Sequence, residues 1–301
     1  MSLAIRPARR NDLPAVEALL RAASLPVDGV AEAFDHFVVA DADGAVVAVA
    51  GLEVREHDAL VRSVAVTPSL RGTGVGHRLI ARILAEARAL AVDRLWLLTL
   101  SASEYFHRFG FRAVSREDAP PALQATVEFH HACPATAAVM VRRMAPLRVL
   151  VLCTANVARS QLAEALLRHR GGDLVQAASA GAVPGGGAHP LAVAELGRRG
   201  IEWSGKRSQG IEAVAAQPWD LVITVCDPAR DACPVLPGAA MVHWDLVDPV
   251  EAGPGEQEQR AAFAATADAL DQRIGLLLEL PLALYDRERL AREATALHRV
   301  D

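Results

Sequence analysis

The spacing of apolar residues changes along the chain and predicts two styles of folding. In the first half, the short run "IRPA" precedes "NDLPAVEALLRAA", where apolar positions recur at helical spacing and Asn11 or Asp12 is available to cap the first turn. "HFVVADADGAVVAVAGLEV" reads as a β-hairpin with turn chemistry at Asp41 to Gly44. "ALVRSVAV" is the next strand, and "GHRLIARILAEARALA" is a helix that aligns Leu79, Ile80, Ile83, Leu84, Ala87 and Leu90 on one face. That order of elements predicts a mixed α+β domain.

Beyond "MVRRMAPLRVLVL" the pattern becomes an alternation of strand and helix: "RVLVLC", "SQLAEALLRHR", "LVQAASA", "PLAVAELGRRG", "WDLVITVC", "MVHWDL" and a long helix through "EQEQRAAFAATADALDQRIGLLLEL". Alternation of this kind predicts a doubly wound parallel sheet with its site at the carboxyl ends of the strands. The tail "YDRERLAREATALHRV" reads as one more helix. The expected chain is therefore a two-domain α/β protein, divided near Met144 to Leu147 into residues 1–145 and 146–301.

Composition narrows the function. With 31 basic against 36 acidic residues and a net charge of −5, the chain has no basic footprint for nucleic acid. Charges interrupt the start, "MSLAIRPARRNDLPAV", and no apolar run reaches membrane-spanning length, so a cytoplasmic protein is expected. Four cysteines, Cys133, Cys153, Cys226 and Cys233, are too few for a disulfide framework in 301 residues. An important one should be catalytic, redox-active or metal-bound.

In "RVLVLCTANVARSQLAEALL" an apolar strand ends at Cys153, five residues follow, and a helix begins at Arg159 and Ser160. Strand, small-residue loop and helix form an anion cradle: consecutive N–H groups turn inward, and the helix N-terminus adds partial positive charge. A thiol there ionises readily, Arg159 offers a planar fork to two oxygens of a tetrahedral oxyanion, and Ser160 can donate to the sulfur. Thr154, Ala155, Asn156, Val157 and Ala158 would form the ring, with Asn156 bonding the loop's own backbone. The glycines and lysine of a nucleotide P-loop are missing, so ATP is not expected. The plainer alternative is a buried strand-end cysteine followed by an ordinary first-turn arginine.

This segment resembles the Cys-x5-Arg-Ser loop of the low-molecular-weight phosphotyrosine phosphatase fold. Within that fold it is most similar to the thioredoxin-coupled arsenate reductases, whose Arg-Ser-Gln-x-Ala-Glu continuation is matched from Arg159 to Glu164. The resemblance runs from about Leu147 to Leu282. It implies that Asp248, in "VHWDLVDPV", is the general acid, and that Cys226 and Cys233 complete a relay that ends as their disulfide. Arsenate would be the substrate, and thioredoxin or another thiol the reductant; reduction to arsenite takes two electrons, which the oxidation of two thiols to one disulfide supplies. Zinc is not expected, because this pair is spaced more widely than zinc-binding cysteines and has no second pair. A phosphotyrosine or small phosphate-ester phosphatase is the alternative. Against it, Val250, Glu251 and Ala252 follow Asp248-Pro249 where phosphotyrosine enzymes of this fold carry aromatic residues.

In the first half, "VRSVAVTPSLRGTGVGHRLIARIL" carries a second anion loop. The strand residues Val64, Ala65 and Val66 lead to Arg71, Gly72, Thr73, Gly74, Val75 and Gly76 at a helix N-terminus. This loop resembles the acetyl-coenzyme A loop of the GNAT acetyltransferases over about Leu3 to Arg143. "SASEYFHRFGF" and "EFHHACPATAAVM" are similar, more narrowly, to the arsenic-resistance N-acetyltransferases. The resemblance implies acetyl-CoA as cofactor and an amine as acceptor. Its usual tyrosine slot falls on Phe106, with Tyr105 one place earlier, so Tyr105 is a candidate acid and Glu53, at a strand end facing the cleft, a candidate base. Arg62 is either a contact for an anionic substrate or solvated. Cys133, with His130 and His131, reads as a metal or arsenic ligand cluster or as a buried strand cysteine. Together the halves read as a bifunctional arsenic-detoxification enzyme; the alternative for the first half is a coenzyme A-binding or sensing module.

Overall fold

Residues 3–226 and 236–299 are described by a computed structural model, the side chains of His131 and Arg299 excepted. Contacts group the chain into two compact units, residues 1–145 and 146–301. Among the described residues no helix is long and apolar enough to cross a membrane.

The first unit is a seven-stranded sheet with helices α1 (Leu13–Ala22) and α2 (Val75–Ala89). Its strands β1 (Leu3–Pro7), β2 (Phe37–Ala42), β3 (Ala45–Arg55), β4 (Asp58–Val66), β5 (Arg94–Thr99), β6 (Arg112–Val114) and β7 (Ala138–Arg143) lie in the order β1-β2-β3-β4-β5-β7-β6. Two short helices, α3 (Ser103–His107) and α4 (Pro121–Gln124), fall between β5 and β7. Leu79, Ile80, Ile83, Leu84 and Ala87 are buried on the sheet as their spacing predicts, but Leu90 is exposed because α2 ends one residue before it. The expected cap on α1 also differs: Asp12 turns its carboxylate back to Arg6 and to the N–H of Arg9. An arginine within reach outbids the helix N–H groups for that carboxylate.

One irregularity in this sheet matters for function. β4 and β5 run parallel but pair only from Asp58–Leu60 against Arg94–Trp96. On its other edge β4 bulges, the register against β3 shifting between Val49 and Gly51, and Ser63 takes a left-handed φ of +56°. Past their paired stretch the two strands border a cavity of about 1100 Å³, lined by Val61 to Val66 from β4 and Leu97 to Thr99 from β5.

In the second unit, β8 (Leu147–Cys153), β9 (Val175–Gly181), β10 (Leu221–Thr224) and β11 (Ala240–His243) form a wholly parallel sheet ordered β11-β10-β8-β9. A buried parallel sheet needs apolar residues on both faces, which is why "VLVL" is continuous. Val149, Val151 and Cys153 pack with α5 (Arg159–Gly171), α6 (Pro190–Arg198), α7 (Glu256–Glu279) and α8 (Arg287–Ala296). Leu150 and Leu152 face Val214, Trp219 and Leu236. The tail helix α8 buries Leu290 and Ala294 and is tied down by Trp244, whose indole N–H donates to the Ala294 carbonyl at 2.9 Å.

Candidate active sites

Cys153 ends β8, a strand flanked by β9 and β10, and is only 4% exposed. The loop that follows is held by the carbonyls of residues 153–157. Those of Cys153, Thr154, Ala155 and Val157 accept N–H bonds from Ala182, Val183, Gly185 and His189, and that of Asn156 accepts from Ser208 Oγ and Gln161 Nε2. Because C=O and the next N–H point oppositely in a planar trans peptide, anchoring the carbonyls outward turns the N–H groups of residues 154–158 the other way. One is seen at work: Asn156, at a left-handed φ of +53°, donates its N–H to Cys153 Sγ at 3.1 Å.

The Asn156 side chain decides where the neighbouring protons go. Its Oδ1 accepts the backbone N–H of Gln209 at 3.0 Å, so its Nδ2 is the donor to Ser160 Oγ at 2.9 Å and Ser179 Oγ at 2.8 Å. With Ser160 Oγ already accepting, its own proton is free for Cys153 Sγ, 2.9 Å away. Two donors thus converge on the sulfur. Ser179 in turn donates to Glu164 Oε2 at 2.7 Å, and Glu164, fully buried, also meets Lys206 and Arg168. The expectation that Asn156 bonds the loop's own backbone is therefore corrected: its amide reaches Ser160, Ser179 and Gln209.

Gly181, opposite Cys153 in the β8–β9 register, lets the loop lie against β9. A Cβ there would sit 2.7 Å from the Thr154 carbonyl oxygen and 2.8 Å from the Asn156 nitrogen, both backbone atoms.

Arg159 opens α5 with its guanidinium directed to the segment after β11. One terminal nitrogen donates to the Leu246 carbonyl at 2.9 Å and the other pairs with Asp248 Oδ2, while Nε is buried without a partner. Asp248 Oδ1 accepts the Val250 N–H at 3.1 Å. Cys226 lies two residues past β10, beside β8, and its Sγ is 3.4 Å from Thr154 Oγ1 on the cysteine loop. Cys233 lies outside the described residues.

The glycine loop of the first unit borders the cavity between β4 and β5 with Arg71, Gly72, Gly74 and Gly76, as do Val64 and Val66. Thr73 Oγ1 instead donates to the Leu70 carbonyl, and Val75 is buried in the core. Gly74 takes a φ of +87° as the residue that starts α2, leaving the helix's first N–H groups without intrahelical acceptors. A Cβ at Gly72 or Gly74 would meet nothing within 4 Å, so the cradle is open. Open backbone donors at a helix N-terminus fit the pyrophosphate of coenzyme A. Tyr105 lines the same cavity with its hydroxyl over Gly76 and without a partner, and burial pushes the phenol above its ordinary range. Phe106, in the usual slot, is buried in the core.

Glu53, expected at a strand end facing the cleft, does not line the described cavity. It is 5% exposed, and its two oxygens are held by Arg55 and Arg62 at 2.6 Å each. Arg62 is buried rather than solvated; it donates to Glu53 and the Asp28 carbonyl, and its Nε forms an ion pair with Glu128 at 3.2 Å without a hydrogen bond. Cys133 does not lie on a strand either. It follows a π-helical turn, Glu128–Ala132, closed by the bond from its own N–H to the Glu128 carbonyl. Its thiol donates to Glu128 Oε2 at 3.3 Å, and burial, then the nearby carboxylate, pushes it up to about 12.

Comparison with known proteins agrees with this geometry. The low molecular weight phosphotyrosine protein phosphatase family matches residues 148–294, and the GNAT acetyltransferase domain matches residues 33–113. The arsenate reductase of Halalkalibacterium halodurans is 36% identical over 132 residues, 44% of this chain and 94% of that protein. The arsenate reductase of Bacillus subtilis is 35% identical over 127 residues, 42% of this chain and 91% of that one. Through its second unit the chain belongs to the arsenate reductases of this phosphatase family. A GNAT domain is fused ahead of it. N-acetylglutamate synthase from Neisseria gonorrhoeae, solved with coenzyme A and N-acetyl-glutamate, is 24% identical with a TM-score of 0.43, over 48% of this chain and 35% of that one.

In the arsenate reductase unit, the sequence pointed to the loop and missed what holds it. Ser179, Lys206 and Gln209 come from the end of β9 and the segment beyond α6, with no spacing signal to join them to Asn156. In the GNAT unit it missed Glu128, which sits in a π turn whose period matches neither helix nor strand.

Proposed function

We propose that residues 146–301 reduce arsenate to arsenite through Cys153, Cys226 and Cys233. The observation that carries this reading is the convergence of the Asn156 N–H and the Ser160 hydroxyl on Cys153 Sγ within a loop whose amides face one way. An arsenate in that ring exchanges its oxygens for the Arg159 contacts now made by Leu246 and Asp248. Cys153 thiolate attacks arsenic, forming an S–As bond, and Asp248 as the acid gives a proton to the departing oxygen, which leaves as water. Cys226 then attacks Cys153 Sγ; the S–As electron pair stays on arsenic, and arsenite leaves two electrons richer. Cys233 attacks Cys226 and frees Cys153, and the Cys226–Cys233 disulfide is reduced by thioredoxin or another thiol. The nearness of Cys226 to Thr154 supports the second step.

Residues 1–145 act, in the same proposal, as an acetyl-CoA-dependent N-acetyltransferase, with the first turn of α2 holding the pyrophosphate and Tyr105 beside it. Acetyl-CoA supplies the activated acyl group. Measured coenzyme release with an amine separates this reading from a binding or sensing module.

The reductase test is mass spectrometry of the full chain after one dose of arsenate without reductant. A Cys226–Cys233 disulfide is expected, and Cys226→Ser should stop arsenite production while sparing hydrolysis of a small phosphate ester. Undiminished arsenite production by that variant overturns the relay in favour of a different reductase route.

A further inference from the structure

The GNAT cavity is lined by polar residues besides those of the glycine loop. Glu128 and Ser63, each 7% exposed, and half-buried Cys133 line it together. Ser63 Oγ is buried without a hydrogen-bond partner, although a buried hydroxyl without one costs stability. Glu128 is paired incompletely. Among the described residues its Oε1 meets only Arg62 Nε, at 3.2 Å and outside hydrogen-bonding geometry, because the terminal nitrogens of that guanidinium are spent on Glu53 and the Asp28 carbonyl. One buried guanidinium is therefore shared between two buried carboxylates. Arg55, the other cation here, binds Glu53 and is about half exposed, and Arg116 is committed to the Phe129 and Pro134 carbonyls.

We propose that Glu128 and Ser63, with Cys133 bracing Glu128, form the acceptor site of the acetyltransferase unit and take a primary amine in its protonated form. This rests on the acetyltransferase reading of that unit. An ammonium brings three donors and one positive charge. Glu128 has lone pairs and unmatched charge for it, and Ser63 has an unused acceptor. An anion at the same point would face the Glu128 carboxylate. A metal ion would want a thiolate, whereas Cys133 stays protonated at neutral pH and donates to Glu128, holding that carboxylate toward the cavity. Bound there, the ammonium passes one proton to Glu128 and becomes a neutral amine with a free lone pair, the form that can receive an acyl group.

The test is the affinity of the full chain, saturated with coenzyme A, for n-propylammonium, read by ligand-observed NMR. n-Propylammonium should bind where n-propanol does not. Glu128→Gln should weaken its binding about tenfold or more and Ser63→Ala severalfold, with coenzyme A affinity unchanged in both. Wild-type protein that binds coenzyme A but not n-propylammonium, or a Glu128→Gln variant that binds it as tightly as wild type, overturns the proposal. If Glu128→Gln loses coenzyme A as well, Ser63→Ala decides: unchanged n-propylammonium affinity is the overturning result. Failure of wild-type protein to bind coenzyme A sinks the acetyltransferase reading itself, and the acceptor site with it.

Discussion

Cys153 and Cys133 are two sulfurs in one chain whose neighbours have opposite polarity. Cys153 is the more buried, yet what it meets are donors: an amide N–H at 3.1 Å and a hydroxyl at 2.9 Å. Cys133 is half-buried and meets an acceptor, the Glu128 carboxylate, at 3.3 Å. Burial alone disfavours a thiolate in both places. The two sulfurs therefore differ in which way neighbouring dipoles and charges point, and the fold sets that by anchoring carbonyls in one case and by a π turn in the other.

The comparison can be broken most severely at Gly181. Gly181→Ala places a methyl group against two backbone atoms of the cysteine loop that cannot swing aside. Arsenate turnover should fall about a hundredfold or more, with about 1–3 kcal/mol lost from the stability of the second unit in denaturant titration. Wild-type turnover in this variant would mean that the loop's donor arrangement does not govern the chemistry. A smaller effect is expected from Ser160→Ala, which removes one of two donors: a loss of about ten- to a hundredfold in turnover, with little change in melting temperature. Smallest and opposite in direction is Glu128→Gln. Removing that negative charge should bring the Cys133 thiol down from about 12, so that its alkylation begins at a lower pH, while Cys153 is unaffected.

Much of this contrast was legible in the sequence on one side and hidden on the other. Cys153, Arg159 and Ser160 lie within eight residues of one another between an apolar strand and a helix, and local spacing suffices to bring them together. Cys226 and Asp248 depend on strand order, which alternation predicts, so the end of the sheet they occupy was foreseeable. The orientation of Asn156 was not, because it is fixed by Gln209, 53 residues away. On the other side, Cys133 with His130 and His131 in "EFHHACP" reads as a metal or arsenic ligand cluster or as a buried strand cysteine, and Cys133 lies on no strand. The π turn that brings Cys133 back to Glu128 follows a period that no pattern count tests. Glu53 is different: Arg55, two residues along the same strand, is a partner that alternation allows, whereas Arg62 reaches it only once β3 and β4 pair.

The most direct measurement of the central proposal, that loop donors make Cys153 the reactive sulfur, is iodoacetamide alkylation of the full chain at pH 7 with the modified sites resolved by peptide mass spectrometry. Cys153 is expected to react about a hundredfold or more faster than Cys133, and inorganic phosphate should slow only Cys153. Equal rates at the two sulfurs, or a Cys153 rate indifferent to phosphate, would contradict the account.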